Sequence, residues 1–163
     1  MPTILEACQG SLPERTVAAG EVIIAEGTRA GMLFVLAEGR VDVVKGDYLV
    51  STVSDPGAVF GEISLLLDTP HTATVRTTVP SRFYVVADPL AFLRSAPDVA
   101  LGVARLLAQR LHATTTYLVD LKQQFEHHTD HFGMVDEVLD ALSHSQSHEH
   151  EPGSDRDPDP DDY

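Results

Sequence analysis

A glycine followed by a short helical turn is the part of this sequence best suited to binding an anion. The stretch that begins at residue 60 reads FGEISLLLD. Gly61 has no side chain, so a ligand can approach its backbone closely. The first N–H groups of a helix have no partner within it, so those of Glu62, Ile63 and Ser64 can point at a negative charge. The pattern therefore predicts an anion site at this turn.

The residues that follow add side chains able to close over the same anion. PHTATV places His71 and Thr72 at the start of a predicted strand, where they offer a side-chain donor and a hydroxyl. Glu62 fits poorly beside an anion because like charges repel. It fits better as an acceptor for a sugar hydroxyl.

Short β-rich runs surround this stretch and must position it. They are rich in Val, Ile, Thr, Phe and Tyr and are separated by turn residues, which predicts an antiparallel roll or barrel. The runs are VAAGEVIIAEG, MLFVLAEGRVDVVKGD, YLVSTVSDPG, TATVRTTV and RFYVVAD. EISLLLD interrupts them as a short helical insertion. The β-rich part is predicted to end at residue 97.

Helical patterning begins near Asp88, which can cap a short helix, PLAFLRS, that Pro89 opens. A long helix is predicted from Asp98 because the chain becomes rich in Ala, Leu, Arg and Gln. Along it, ten positions recur at alternating steps of three and four, and eight of them are apolar: Leu111, Thr114, Leu118, Leu121, Phe125, His128, Phe132, Val135, Leu139 and Leu142. This seam predicts a homodimer through residues 111–142, the alternative being a helix buried on its own domain.

The end of the chain divides into a helical part over residues 98–142 and a tail over residues 143–163. Thr129 or Asp130 could cap a second helix, so a break near residue 129 is left open. The tail has almost no apolar content and carries seven acidic side chains against Arg156. Such a segment cannot bury enough surface to offset its ordering entropy, so the tail is predicted to be disordered.

Charge and composition argue against several classes of function. The 163 residues carry a formal charge of -14, and the part before the tail is still at -8, whereas nucleic acid favours clustered Lys and Arg. No run of 18 apolar residues predicts a membrane span, and Cys8 is the sole cysteine, so we expect a soluble, cytoplasmic protein. His127, His128 and His131 lack the Asp or Cys set that a metal site needs, and no metal is predicted.

From about Leu12 to Gln124 the chain resembles the cyclic nucleotide-binding domain family. The segments that carry the resemblance are GEVIIAEG, LFVLAEGRVDVV, PGAVFGEISLLL and TPHTATVRT. It implies a fold that is mainly β with α, a jelly-roll-like β-roll followed by a long dimer helix. It also implies that residues 60–73 are the phosphate-binding cassette, the name used below for this segment. Cyclic nucleotide contacts are then expected from Phe60, Gly61, Glu62, Ile63, Ser64, Thr72 and Ala73.

His71 departs from the family pattern, because it stands where the resemblance implies an arginine that pairs with the cyclic phosphate. Arginine offers a permanent charge and a bidentate fork, whereas histidine has an ordinary pKa of about 6.5. Losing one charge-assisted hydrogen bond weakens binding by roughly tenfold to a hundredfold. Arg76 is not expected to compensate, because side chains alternate along a strand and Arg76 shares its face with Thr72 rather than with His71.

The resemblance extends to the long helix. In the bacterial activator branch of the family, a Thr-Ser pair on the dimer helix contacts the base, and an Arg before it approaches the ribose. ARLLAQRLHATTTYL places Arg110 before Thr114 and Thr115. The resemblance thus implies ligand contacts from these three residues, although small polar residues are also simply tolerated in helices.

Together these features predict a stand-alone cyclic nucleotide sensor without the DNA-binding region of the activator branch. The expected ligand is cAMP or, less favoured, cGMP, with no cofactor, no catalytic residue and an unidentified effector protein as partner. The alternative is a scaffold that keeps the roll and the dimer helix but has lost the ligand, with His71 as the mark of that loss.

Overall fold

The computed structural model describes residues 3–125 and 133–144, which fall into two compact units divided between Gln109 and Arg110. In chain order, the elements of the described residues are α1 (Ile4–Cys8), β1 (Glu14–Val17), β2 (Val22–Ile24), β3 (Leu33–Glu38), β4 (Val41–Lys45), β5 (Tyr48–Val53), β6 (Val59–Phe60), α2 (Glu62–Leu67), β7 (Thr74–Thr77), β8 (Ser81–Val86), α3 (Pro89–Ser95), α4 (Pro97–Gln124) and α5 (Gly133–His144).

Two four-stranded sheets make up the β-rich part of the first unit. One has the order β1-β8-β3-β6 and the other β2-β7-β4-β5. Every pair of neighbours is antiparallel. The predicted fold class, an antiparallel β-roll with a helical insertion, is therefore confirmed, and EISLLL forms α2 between β6 and β7, with Asp68 as its C-cap.

The strand β3 shows how alternation builds two cores. Its first four residues are all buried, but successive side chains of a strand point to opposite faces. Phe34 and Leu36 join a cluster with residues of both sheets, where the rings of Phe34 and Phe83 meet edge to face with centroids 6.4 Å apart. Leu33 and Val35 join a second cluster that includes residues of α1 and α4. The cassette thus begins at the end of a strand in a sheet that is buried on both faces.

The helices that follow the roll begin as the sequence predicts. The Asp88 side chain accepts a hydrogen bond from the Ala91 N–H at 3.1 Å, and Pro89 occupies the first turn of α3. This arrangement satisfies a donor that the start of a helix otherwise leaves without a partner. The long helix α4 begins at Pro97, one residue before the predicted start, and Val103 packs into the second core.

The second unit contains the rest of α4 and the amphipathic helix α5. Lys122 of α4 forms an ion pair with Asp136 of α5. Several apolar side chains of the unit face solvent, namely Leu111, Tyr117, Val119, Phe125, Met134, Val138 and Leu142. Two seam residues, His128 and Phe132, and the predicted break near residue 129 lie outside the described residues, as does the tail from residue 145. The domain bounds given above stay predictions.

Candidate functional site

Gly61 joins β6 to α2 in a conformation that other residues rarely adopt. Its φ of 93° lies in the left-handed region, where glycine has no Cβ to clash. Space around it is also restricted, because a Cβ at this position would lie 2.7 Å from the carbonyl oxygen of Met32 and 3.6 Å from Cε1 of His71. Glycine is therefore required here both by backbone conformation and by the closeness of its neighbours.

His71 is held against the loop between β2 and β3 by two backbone hydrogen bonds. Its N–H donates to the Thr28 carbonyl at 2.9 Å, and the Gly27 N–H donates to the His71 carbonyl at 2.8 Å. The side chain is 5% exposed. The imidazole is thus fixed beside Gly61 by groups that are distant in sequence.

A cavity of about 260 Å³ opens between this loop, α2 and the start of α3. It is lined by Arg29, Gly31, Met32, Gly61, Ser64, Leu65, Asp68, Thr69, His71 and Leu90. The structure therefore brings together three of the predicted ligand residues: Gly61, Ser64 and His71.

The other cassette residues predicted to bind the ligand are not in the cavity lining. Phe60 and Glu62 are buried, Ile63 and Thr72 are exposed, and Ala73 is intermediate. Glu62 still acts on the cavity electrostatically through His71. The ribose contact predicted for Glu62 and the contacts predicted for the remaining four residues stay predictions.

Two residues that line the cavity each carry a buried polar atom without a hydrogen-bond partner. Across residues 3–125 and 133–144, Thr69 Oγ1 and His71 Nε2 are the buried side-chain atoms left without one. Ser64, in contrast, uses its hydroxyl to donate to the Thr69 carbonyl. Unsatisfied polar atoms are rare in protein interiors because each costs about 1–3 kcal/mol. Both atoms could be satisfied by oxygen atoms of a bound phosphate.

Burial controls the charge of His71. Desolvation lowers the pKa of its imidazole below the ordinary value, and the Glu62 carboxylate opposes this effect to a smaller extent. The neutral form is therefore favoured near pH 7. In that form His71 can offer one N–H donor to an anion but no positive charge.

A permanent positive charge comes from Arg29, which sequence reasoning did not identify. Its Nη1 lies 2.9 Å from Oδ1 of Asp68, 39 residues away in sequence. Arg76 is exposed on β7 and does not line the cavity, in agreement with its predicted orientation. Thr69 was also missed. No local pattern could have revealed Arg29, because the fold brings it to the cassette from a distant loop, whereas Thr69 lies within the cassette.

The residues predicted on the long helix belong to the second unit. Thr114 is exposed and its hydroxyl donates to the Arg110 carbonyl at 2.8 Å, a common arrangement for threonine within a helix. Thr115 is intermediate in exposure. The ligand contacts expected from Arg110, Thr114 and Thr115 stay predictions.

The described residues contain neither a candidate metal-binding cluster nor a candidate membrane-spanning helix. Among the residues whose positions the structure describes, no group of three or more His, Cys, Asp or Glu side chains could hold a metal ion. His127, His128 and His131 fall outside that part of the chain. No helix of the described ranges combines the length and apolar character needed to cross a membrane.

Comparison with protein families identifies the β-roll. Residues 14–89, from the start of β1 to the start of α3, match the family model described as cyclic nucleotide-binding domain. The match includes the whole phosphate-binding cassette.

Curated relatives are similar over parts of their length. A cAMP-dependent protein kinase regulatory subunit of Yarrowia lipolytica is 36% identical over 78 residues, which are 46% of this chain and 20% of the relative. A CRP-like cAMP-activated global transcriptional regulator of Mycobacterium tuberculosis is 26% identical over 126 residues, 74% of this chain and 56% of the regulator. The chain thus spans about a fifth of the first relative and about half of the second.

Solved structures agree with the fold. The crystal structure of Thermus thermophilus catabolite activator protein matches with a TM-score of 0.63 at 21% identity, covering 93% of this chain and 88% of that one. A structure described as Sp-2Cl-cAMPS bound to PKAR CBD2 matches with a TM-score of 0.54 at 24% identity, covering 68% and 71% of the two chains. At these identities the likeness concerns the fold alone.

Proposed function

We propose that this chain, whose residues 14–89 match the family model described as cyclic nucleotide-binding domain, is a regulatory sensor that binds a cyclic nucleotide, cAMP in preference to cGMP. It is not an enzyme, it acts in the cytoplasm, and it signals as a homodimer or through an effector protein. Relatives described as cAMP-dependent and cAMP-activated support the choice of cAMP.

The observation that carries the proposal is the buried, unpartnered Nε2 of His71 beside Gly61. A cyclic phosphate in the cavity would give this atom and Thr69 Oγ1 oxygen partners. The cavity of about 260 Å³ is smaller than the 300–1,000 Å³ usual for drug-sized ligands. It therefore suits the phosphate end of a cyclic nucleotide, with the rest of the ligand extending beyond it.

The dimer part of the proposal rests on the seam of the second unit. Leu111, Phe125 and Leu142 occupy seam positions and are exposed in the single chain. Exposed apolar residues repeating in heptads are typical of helices that pair. Arg110, Thr114 and Thr115 remain the proposed base and ribose contacts.

Titration calorimetry on His71→Arg separates a sensor from a scaffold. The variant restores the guanidinium expected by family resemblance, so we expect cAMP to bind roughly tenfold to a hundredfold more tightly than to the wild type. The wild type serves as the reference, with cGMP as the second ligand. If neither protein binds either nucleotide, the chain is a scaffold with a degenerate pocket and the proposed function is wrong.

A further inference from the structure

Arg29, which was not among the predicted ligand residues, brings a guanidinium group to the cavity. We infer that Arg29, on the loop between β2 and β3, supplies the positive charge for the cyclic phosphate that a histidine at position 71 does not, while Thr69 and His71 supply hydrogen bonds. This inference rests on the proposed function, since it names further binding residues of the same site. It assigns His71 a secondary part in phosphate binding.

The backbone fixes the position of Arg29 relative to the cassette. Thr28, its neighbour in sequence, accepts the hydrogen bond from the His71 N–H, and Gly27 donates to the His71 carbonyl. Arg29 therefore directly follows a residue that is hydrogen-bonded to the backbone of His71. Arg29, Thr69 and His71 all line the same cavity.

The present partner of Arg29 is one that a phosphate can displace. In the Arg29–Asp68 ion pair the side chains are 58% and 98% exposed. Water screens such pairs and they contribute little to stability. A phosphate bound by several groups at once would compete well for the guanidinium, because arginine forms strong paired hydrogen bonds with phosphate oxygens.

Asp68 is then a competitor of the ligand. It follows α2 as its C-cap, with a left-handed φ of 51°. Asparagine also tolerates this conformation, so Asp68→Asn removes the negative charge while keeping the cap. Substitutions of Arg29 and of Asp68 are therefore expected to have opposite effects on the affinity for the cyclic nucleotide.

The test is calorimetric titration of cAMP into Arg29→Gln and Asp68→Asn. Arg29→Gln is expected to bind at least about tenfold more weakly than the wild type, through loss of a charge-assisted interaction. Asp68→Asn is expected to bind at least as tightly as the wild type, with a gain of up to about fivefold. Arg76→Gln, which removes an exposed arginine outside the cavity, is the matched control and should stay within about twofold of the wild type.

The outcomes separate three accounts. If the ion pair merely shapes the cassette, Arg29→Gln and Asp68→Asn weaken binding alike, and the inference is wrong. A wild type that binds cAMP while Arg29→Gln behaves like Arg76→Gln also overturns the inference but leaves the proposed function standing. If the wild type binds no cyclic nucleotide, the proposed function fails and the inference falls with it. Thermal unfolding of each variant checks that the fold is kept.

Discussion

The imidazole of His71 is buried at a free-energy cost that the described residues do not offset, because Nε2 has no hydrogen-bond partner. A bound ligand that pairs with Nε2 would remove this cost. Since His71 also lines the cavity, its environment favours a binding site over a remnant.

Stability should depend on pH through His71. Burial lowers its pKa in the folded state, whereas the unfolded chain has the ordinary value of about 6.5. Between these two pKa values the unfolded state binds more protons than the folded state. The contribution of His71 to stability is therefore fully present above about pH 6.5 and is lost as pH drops toward the folded pKa. The Glu62 carboxylate acts on the ring, and the charged residues Arg29 and Asp68 line the same cavity as His71.

Urea unfolding at pH 7.5 and 5.5 measures this loss, with His71→Gln as the reference protein. The wild type should lose more stability between these two values than His71→Gln does. Glu6 and Glu14 do not contribute to the difference between these two pH values, because hydrogen bonds lower their pKa values below the ordinary 4.5. Equal losses in both proteins would mean that His71 does not titrate as a buried group.

Gly61→Ala should destabilise the fold by two effects that a second glycine can separate. Gly20 has a similar φ of 82°, but a Cβ there meets nothing within 4 Å. Gly20→Ala should thus cost about 1–2 kcal/mol from backbone strain alone. Gly61→Ala should cost at least about 1 kcal/mol more, because its Cβ meets the Met32 carbonyl. Denaturant unfolding measures both, and equal costs would contradict the close packing described for Gly61.

At the level of secondary-structure elements, local sequence signals predict strands and helices where a residue pattern repeats or a helix cap is formed. The strand runs, the insertion α2 and the capped start of α3 follow from alternation, turn residues and Asp88-Pro89. The helix α1 was missed although its signal is present, since Thr3 and Glu6 form a capping box. Sequence reasoning could have found it with the rule applied at Asp88.

The cavity itself was not predictable from local patterns. Gly61 and His71 were identified from the cassette, but Arg29, which brings a positive charge to the cavity, comes from the loop between β2 and β3. Arg29 meets Asp68 across 39 residues of chain. A contact of this kind depends on how two strands and a helix pack, and no spacing rule describes it.

The seam of the second unit leads to a test of the dimer. Leu111 lies on the seam and is 52% exposed, whereas Tyr117 lies off it and is 62% exposed. Leu111→Glu should weaken the dimer at least about tenfold, because two copies of a leucine lose their burial. Tyr117→Glu should leave the dimer unchanged. Sedimentation velocity compares the two, and a monomeric wild type or equal effects would contradict the proposed seam.

For the molecule as a whole, the family match and the fold are consistent with each other, whereas neither of them specifies a particular ligand. The antiparallel β-roll and the cassette follow the family pattern, and the departure at His71 comes with an arginine at the same cavity. We therefore propose a working nucleotide site rather than a scaffold, because Thr69 and His71 line the cavity and each carries an unpartnered polar atom.

Direct calorimetric titration of the unmodified chain with cAMP tests whether the nucleotide site binds its ligand. We expect saturable heat with one nucleotide per chain and weaker binding of cGMP. Because His71 stands where the resemblance implies an arginine, the affinity should be modest and should rise in His71→Arg. The absence of heat from both nucleotides at millimolar concentration, with the protein folded, would contradict the account.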